Sequence, residues 1–96
     1  MIVVITKSIP LKIKGYISKH IFSIDNRIFV GKMTSNKRTV FINYLKMNIN
    51  VGGCLIIWTE NNIYGFNHII IGNFNKNYDV IELDNIEIFI KKFIDK

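Results

Sequence analysis

Cations at the predicted starts of two helices are the residues best placed to do chemistry in this chain. Lys12 and Lys14 stand two residues apart near the start of the first predicted helix and are followed by Gly15. The start of the second predicted helix carries a similar group: Asn36, Lys37 and Arg38. Backbone N–H groups at a helix start add partial positive charge, and phosphate groups bind there. We therefore predict that both helix starts contact phosphates.

Metal-dependent hydrolysis has less support in the sequence. It requires carboxylates gathered around a divalent cation, and Asp25 is the only carboxylate before Glu60. Asp79, Glu82 and Asp84 are close in sequence, but on a strand-like segment the last two would share a face. A solvated strand edge that resists aggregation is the simpler interpretation. We expect no metal and no cofactor.

Nucleophilic catalysis is no better supported. Cys54 begins an apolar strand, which favours a buried structural thiol. His20 and His68 lack ligand-like partners at motif spacing, and Ser8 and Ser35 are better explained as helix caps. We expect no catalytic residue.

A glycine-lysine pair before the second helix resembles the end of a phosphate-binding loop. Gly31 and Lys32 are followed by Thr34 and Ser35, but the upstream glycine that such a loop requires is absent. We discount this motif.

The charge of the chain is divided unevenly. Residues 1–50 carry nine lysines and arginines against one aspartate, a formal charge of +8, whereas residues 51–96 carry −2. The basic half suggests a polyanion partner, although scattered lysines also keep an apolar protein in solution. Most large aromatic residues fall on predicted faces that need a core: Phe22, Phe29, Phe41, Trp58, Phe66 and Phe89. Binding should therefore be to phosphates rather than by base stacking.

Short strands and two helices must position these residues. We predict strands at 2–5, 27–30, 54–59 and 63–71, and strand-like pieces at 80–83 and 86–89. The first helix follows Ser8 and Pro10 and should bury an isoleucine stripe: Ile13, Ile17, Ile21 and Ile24. The second helix is capped by Thr34 or Ser35 and should bury Val40, Phe41, Tyr44, Leu45 and Met47. The order is β-α-β-α-β-β, or β-α-β-β-α-β if the last helix pattern is misjudged.

The length of 96 residues predicts one domain. The predicted strands are apolar on both sides, so something must cover the second face of their sheet, and a second copy packing sheet against sheet is the simplest cover. No apolar run approaches the roughly 20 residues of a membrane span, and no signal peptide is evident. With a single cysteine, these features predict a cytoplasmic protein.

Four segments carry a family resemblance: VVIT…IP…KIKG, RIFVGKMTS, WTENNIYGF and IELDNIEIF. In this order and spacing they resemble the small non-catalytic subunit of the CRISPR spacer-acquisition complex, in the subfamily typical of type I-E systems. The resemblance implies an α+β ferredoxin-like sandwich with two helices on one face of an antiparallel sheet. It also implies a single domain over residues 1–96 with a strand tail at about 79–96, and a sheet-to-sheet homodimer.

The same resemblance implies a function. The subunit is a scaffold that bridges two CRISPR integrase dimers and binds a short prespacer duplex through phosphates. The subfamily's basic-x-basic-Gly pattern matches Lys12 and Lys14, and its polar or basic DNA-facing positions match Asn36 and Arg38. Lys37 is a further DNA-binding candidate because it lies between these two residues at the helix start; the resemblance does not include it. Lys76 is a weaker DNA-binding candidate in the loop before the final strands.

Two alternatives remain at this point. Some relatives have an acidic residue just after the first strand, to which metal-dependent nuclease activity has been attributed, but Lys7 stands there in this chain. The first alternative is a small Mg²⁺-dependent endonuclease of the same fold, including toxin-type ribonucleases. The second is a structural dimer with no nucleic-acid role.

Overall fold

The computed structural model describes residues 1–75 and gives them seven elements. In chain order these are β1 (Ile2–Lys7), α1 (Leu11–His20), β2 (Phe22–Ser23), β3 (Ile28–Gly31), α2 (Ser35–Asn48), β4 (Gly53–Thr59) and β5 (Phe66–Gly72). The predicted strand tail at 79–96 and Lys76 lie outside the described residues. No described helix is long and apolar enough to cross a membrane.

The five strands form one antiparallel sheet in the order β2-β3-β1-β4-β5. β1 lies at its centre, with Val3 opposite Val30 of β3 on one side and Ile57 of β4 on the other. Both helices pack on one face, where Ile17 and Leu45 share a buried cluster with Val4 of β1. The predicted α+β ferredoxin-like fold is confirmed.

The first helix ends earlier than its isoleucine spacing predicted. The chain turns at Ile21, and Phe22 and Ser23 form strand β2, paired with Val30 and Phe29 of β3. The carboxylate of Asp25 stabilises the connecting turn, because its Oδ1 accepts hydrogen bonds from the backbone N–H groups of Arg27 (2.7 Å) and Ile28 (3.1 Å). The order is therefore β-α-β-β-α-β with β5 added at the edge of the sheet.

The helix caps differ from the prediction at two serines. Ser8 does not cap α1; it has a φ of 54°, and the N-cap position is Pro10, which makes no side-chain hydrogen bond. Ser35 does not cap α2 either, since it is the first helical residue. Thr34 caps α2 as predicted, and its Oγ1 accepts a hydrogen bond from the backbone N–H of Lys37 at 3.2 Å.

The buried stripes of the helices were predicted only in part. In α1, Ile13 and Ile17 are buried, but Ile24 lies beyond the helix and is 40% exposed. In α2, Phe41 and Leu45 are buried and Tyr44 is half-buried. Val40 and Met47 are largely exposed instead, and Ile42 and Ile49 take their places in the core. The helix is rotated so that Ile42 and Leu45 face the sheet, and Ile49, which caps the end of the helix, continues the same buried face.

Two of the aromatic residues expected in the core are outside it. Phe29 and Phe41 are buried, and Trp58 is half-buried against the helical core. Phe22 is 74% exposed on the short strand β2, and Phe66 is 38% exposed on the edge strand β5.

The second face of the sheet is apolar, as predicted. Its buried residues are Val3, Ile5, Ile28, Val30, Leu55 and Ile57, and Phe74 packs among them. They are buried within a single copy of the chain, so their burial does not require a second copy. Strand β5 leaves its part of this face open, since Phe66, His68 and Ile70 are exposed there.

Close backbone packing joins the end of β1 to the start of β4. Gly52 has a φ of +72°, and a Cβ atom built on it would collide with the carbonyl oxygens of Lys7 and Ser8. Only glycine accommodates both this conformation and this approach. The segment that leads from β1 into α1 is therefore held against residue 52.

Candidate nucleic-acid interface

The start of α2 presents two cations on a well-defined turn. Thr34 caps the turn, and its backbone oxygen also accepts a hydrogen bond from the N–H of Arg38 at 2.9 Å. The side chains of Asn36 and Lys37 are exposed, and that of Arg38 is half-buried. No acidic residue occupies this first turn, so its positive charge is not offset locally.

Arg38 is held against an aromatic ring. Its Cζ lies 4.9 Å from the centre of the Trp58 ring, within the range of a cation–π interaction. Trp58 belongs to β4, where it pairs with Ile2 on one side and Asn67 on the other. The contact therefore joins the start of α2 to the sheet.

Lys32 is a cation that the sequence analysis did not include in the interface. It lines a shallow depression with Met33, Thr34 and Lys37, directly before α2. The signal in the sequence is the Gly31-Lys32 pair, which lacks the upstream glycine that a phosphate-binding loop requires. Its place beside the capped helix start depends on the short turn from β3 into α2.

The start of α1 is built differently. Lys12 is exposed and Lys14 is half-buried in a first turn without acidic residues or a side-chain cap. The oxygen of Pro10 accepts hydrogen bonds from the N–H groups of Ile13 (3.0 Å) and Lys14 (3.1 Å). Gly15 is exposed, and a Cβ atom built on it would meet no atom within 4 Å. This turn is open to solvent, and the backbone at Gly15 leaves room for a bound ligand to approach closely.

The two helix starts do not lie together. Tyr16 of α1 stacks on Tyr44 of α2, with ring centres 3.6 Å apart, while His20 lies 6.0 Å from Phe41. A later residue of α1 thus meets an earlier residue of α2, so the helices run antiparallel. Their starts lie at opposite ends of the helical layer. Counted from the Tyr16–Tyr44 contact at a rise of about 1.5 Å per residue, the first residues of the two helices are about 20 Å apart along the helix axes.

The structure therefore sorts the predicted DNA-binding residues into two groups. Asn36, Lys37 and Arg38 form one group at the start of α2, and Lys12 and Lys14 form the other at the start of α1. Lys76 lies outside the described residues.

The groups considered for catalysis have ordinary structural surroundings. Cys54 is fully buried, and this burial raises the pKa of its thiol to about 12, so it is protonated at neutral pH. The ring of His20 packs 4.7 Å from that of Tyr16. Tyr16, the neighbour of His20, keeps a neutral phenol. Its pKa is raised mainly by burial and to a smaller extent by the nearby Tyr44. Within residues 1–75, no three His, Cys, Asp or Glu side chains form a group that could hold a metal ion.

Sequence comparisons place this fold and these helix starts in a known family. A comparison with curated proteins found no match. The family model described as "CRISPR-associated protein (Cas_Cas2CT1978)" matches residues 1–88, most of the 96-residue chain, including both helix starts. The match confirms the resemblance and supports a CRISPR-related role. The chain belongs to this family of Cas2-like CRISPR-associated proteins.

Proposed function

We propose that this chain is a non-catalytic scaffold of CRISPR spacer acquisition. Its homodimer bridges two copies of the integrase dimer in the cytoplasm and holds a short prespacer duplex on its basic surface. The integrase carries out strand transfer, and this chain contributes by positioning the DNA. Family membership supports the CRISPR part of this proposal.

The observation that carries the DNA-binding part is the pair of cationic helix starts. Both first turns carry cations, and neither contains an acidic residue. Their separation of about 20 Å along the helix axes is shorter than one turn of duplex DNA, about 34 Å, so one duplex can contact both. This arrangement supports contact with the DNA backbone at two points on each copy.

The chemistry of the two starts favours phosphates over bases. Lysine ammonium groups attract phosphates as point charges, and phosphate contacts carry no sequence information directly. Most aromatic side chains of the helical layer pack on one another, as the stacked rings of Tyr16 and Tyr44 show. The proposal is therefore binding that does not depend on sequence.

Strand β5 is the part of the sheet face that supports a dimer contact. Phe66 and Ile70 are each 38% exposed on it, and Ile63 and Tyr64 are exposed in the hairpin that precedes it. A second copy packed on this surface would bury them. Light scattering should find a dimer at micromolar concentration, and Ile70→Lys should shift it towards the 11.2 kDa monomer. A wild-type monomer would contradict this part of the proposal.

Duplex binding across a salt series tests the DNA-binding part. Four to six phosphate contacts per dimer predict that log K falls with log salt at a slope of about −4 to −5. Two duplexes of unrelated sequence should bind equally well, with the integrase added in a parallel series. A strong preference for one sequence, or binding that does not respond to salt, would contradict the proposal.

Labelled RNA and DNA with added Mg²⁺ or Mn²⁺ test the endonuclease alternative. We expect no hydrolysis, because Lys7 ends β1 where a metal-binding relative has a carboxylate, and a charged lysine repels the cation. Metal-dependent cleavage that co-purifies with the chain and survives Lys7→Ala would favour an endonuclease with a different metal site.

A further inference from the structure

We infer that Trp58 is a positioning residue for DNA binding, because its indole face holds the guanidinium of Arg38 ready for a phosphate of the duplex. This inference deepens the proposed function and rests on it. Trp58 itself contacts Arg38 rather than DNA.

The contact joins the first turn of α2 to an interior strand of the sheet. Arg38 extends from the first turn of α2, which is fixed by the Thr34 cap. Trp58 belongs to β4, an interior strand of the sheet, and its ring lies 4.9 Å from Cζ of Arg38. Neither carboxylate of residues 1–75, Asp25 or Glu60, forms an ion pair with Arg38. Within that part of the chain, its charge is available to an anion.

The indole N–H of Trp58 makes no hydrogen bond within the described part of the chain, which indicates that tryptophan occupies this position for another property of its ring. The Nε1 donor of Trp58 is buried and has no hydrogen-bond partner among the described residues. A buried donor without a partner destabilises the folded state, and a phenyl ring would fill much of the space without that cost. The indole offers in return the aromatic face that attracts cations most strongly. The contact with Arg38 is the interaction in the structure that uses this property.

Prior placement of Arg38 favours binding. A free arginine loses much of its rotamer freedom when it contacts a phosphate, and a ring that already holds the guanidinium reduces that loss. A guanidinium over a ring face keeps its N–H edges available for a bidentate phosphate contact. Lys37, one residue earlier, is exposed and provides a comparison within the same turn.

A double-mutant cycle on the full-length chain tests the inference. The probe is a duplex of about 25 base pairs with arbitrary sequence, titrated at several salt concentrations. Trp58→Leu should weaken binding about threefold to tenfold in the wild-type background and have little further effect in Arg38→Ala. The matched control is Lys37→Ala, in which Trp58→Leu should keep its full effect. Equal losses in all three backgrounds would show a general structural role and overturn the inference.

A second variant and a spectroscopic signal keep the test decisive if Trp58→Leu does not fold. Trp58→Phe keeps a weaker aromatic face and should bind duplex with an affinity between those of wild type and Arg38→Ala. Trp58 is the single tryptophan of the chain, so its fluorescence reports directly on the guanidinium above it. Arg38→Ala should shift the emission of the unbound protein, and duplex should change the emission of wild type more than that of Arg38→Ala. Emission that is unaffected by Arg38→Ala would overturn the inference.

The outcomes distinguish this inference from the proposed function. A wild-type chain that binds no duplex rejects both. Binding that is lost with Lys12→Ala and Lys14→Ala but shows no coupling between Arg38 and Trp58 rejects the inference alone.

Discussion

The starts of α1 and α2 carry similar charge but are constructed in different ways. At α2, Thr34 caps the turn and Trp58 supports Arg38. At α1, Lys12 and Lys14 follow an N-cap proline that offers no side-chain hydrogen bond. Similar clusters of basic residues thus stand on one helix turn that has a side-chain cap and a supporting ring, and on one that has no side-chain cap.

Under the proposed function, this difference gives the two ends of the helical layer different tasks. A lysine on an open turn attracts a phosphate from many directions, which favours affinity but not orientation. An arginine that is held on a ring presents its donors in a fixed plane. Under the proposed function, the α1 start adds attraction, and the α2 start fixes the register of the protein on the duplex.

The largest predicted effect is on duplex binding, when the two cations of either helix start are removed together. Lys12→Ala with Lys14→Ala, or Lys37→Ala with Arg38→Ala, should weaken duplex binding about tenfold to a hundredfold and flatten the salt slope of the dimer by about 2. Titration of two unrelated duplexes measures both quantities, and light scattering checks that the oligomeric state is unchanged. If one pair can be removed without effect, that end of the helical layer does not contact DNA.

Exchange of lysine and arginine should change duplex affinity at the start of α2 more than at the start of α1. Arg38→Lys should weaken binding about threefold to tenfold, because an ammonium cannot stack on Trp58 and contact a phosphate through two N–H groups. Lys12→Arg should change affinity by less than about twofold, since no described ring or carboxylate holds the side chain. The same titration measures both variants. Equal effects would remove the distinction between a held and an open cation.

Loss of the threonine cap should distinguish the starts without DNA. Thr34→Ala should lower the free energy of unfolding by about 1 kcal/mol, because the backbone N–H of Lys37 loses its acceptor. Ser8→Ala is the matched control and should change it by less than about 0.5 kcal/mol, since Ser8 caps no helix. Urea unfolding followed by circular dichroism measures both. If Ser8→Ala lowered the free energy of unfolding as much as Thr34→Ala does, the side chain of Ser8 would stabilise the start of α1, which contradicts the difference between the two starts.

The smallest predicted effect is a gain in stability from a substitution in the first half of α1. Gly15→Ala should raise the free energy of unfolding by about 0.5–1 kcal/mol, because the added methyl group meets no neighbour and alanine favours a helix more than glycine does. The same urea experiment tests it. A loss of stability would show that the surroundings of Gly15 are more crowded than the single chain indicates.

Much of this arrangement could be predicted from local sequence. The apolar strands, the two helices and the Thr34 cap each depend on residues that are close together in the chain. β2 could not be predicted, because a strand of two residues has no periodicity, and its pairing depends on the turn around Asp25. The rotation of α2 that exposes Val40 and buries Ile42 depends on packing against the sheet.

The candidate site was predictable only residue by residue. Charge and position selected Lys12, Lys14 and Arg38, but their division between two ends follows from the antiparallel helices, and the sequence left two element orders open. The contact between Arg38 and Trp58 joins residues 20 positions apart. It depends on how α2 lies over β4, which no local pattern encodes.

The close approach at Gly52 has a consequence for genetics. Every single-nucleotide change that replaces this glycine adds a Cβ atom, which would displace the carbonyl groups of Lys7 and Ser8. Those residues lead into α1, so we expect an uncharged substitution at 52 to displace the helix start that carries Lys12 and Lys14. A random-mutagenesis screen for loss of spacer acquisition should therefore recover alleles at codon 52 at least as readily as alleles at either lysine codon.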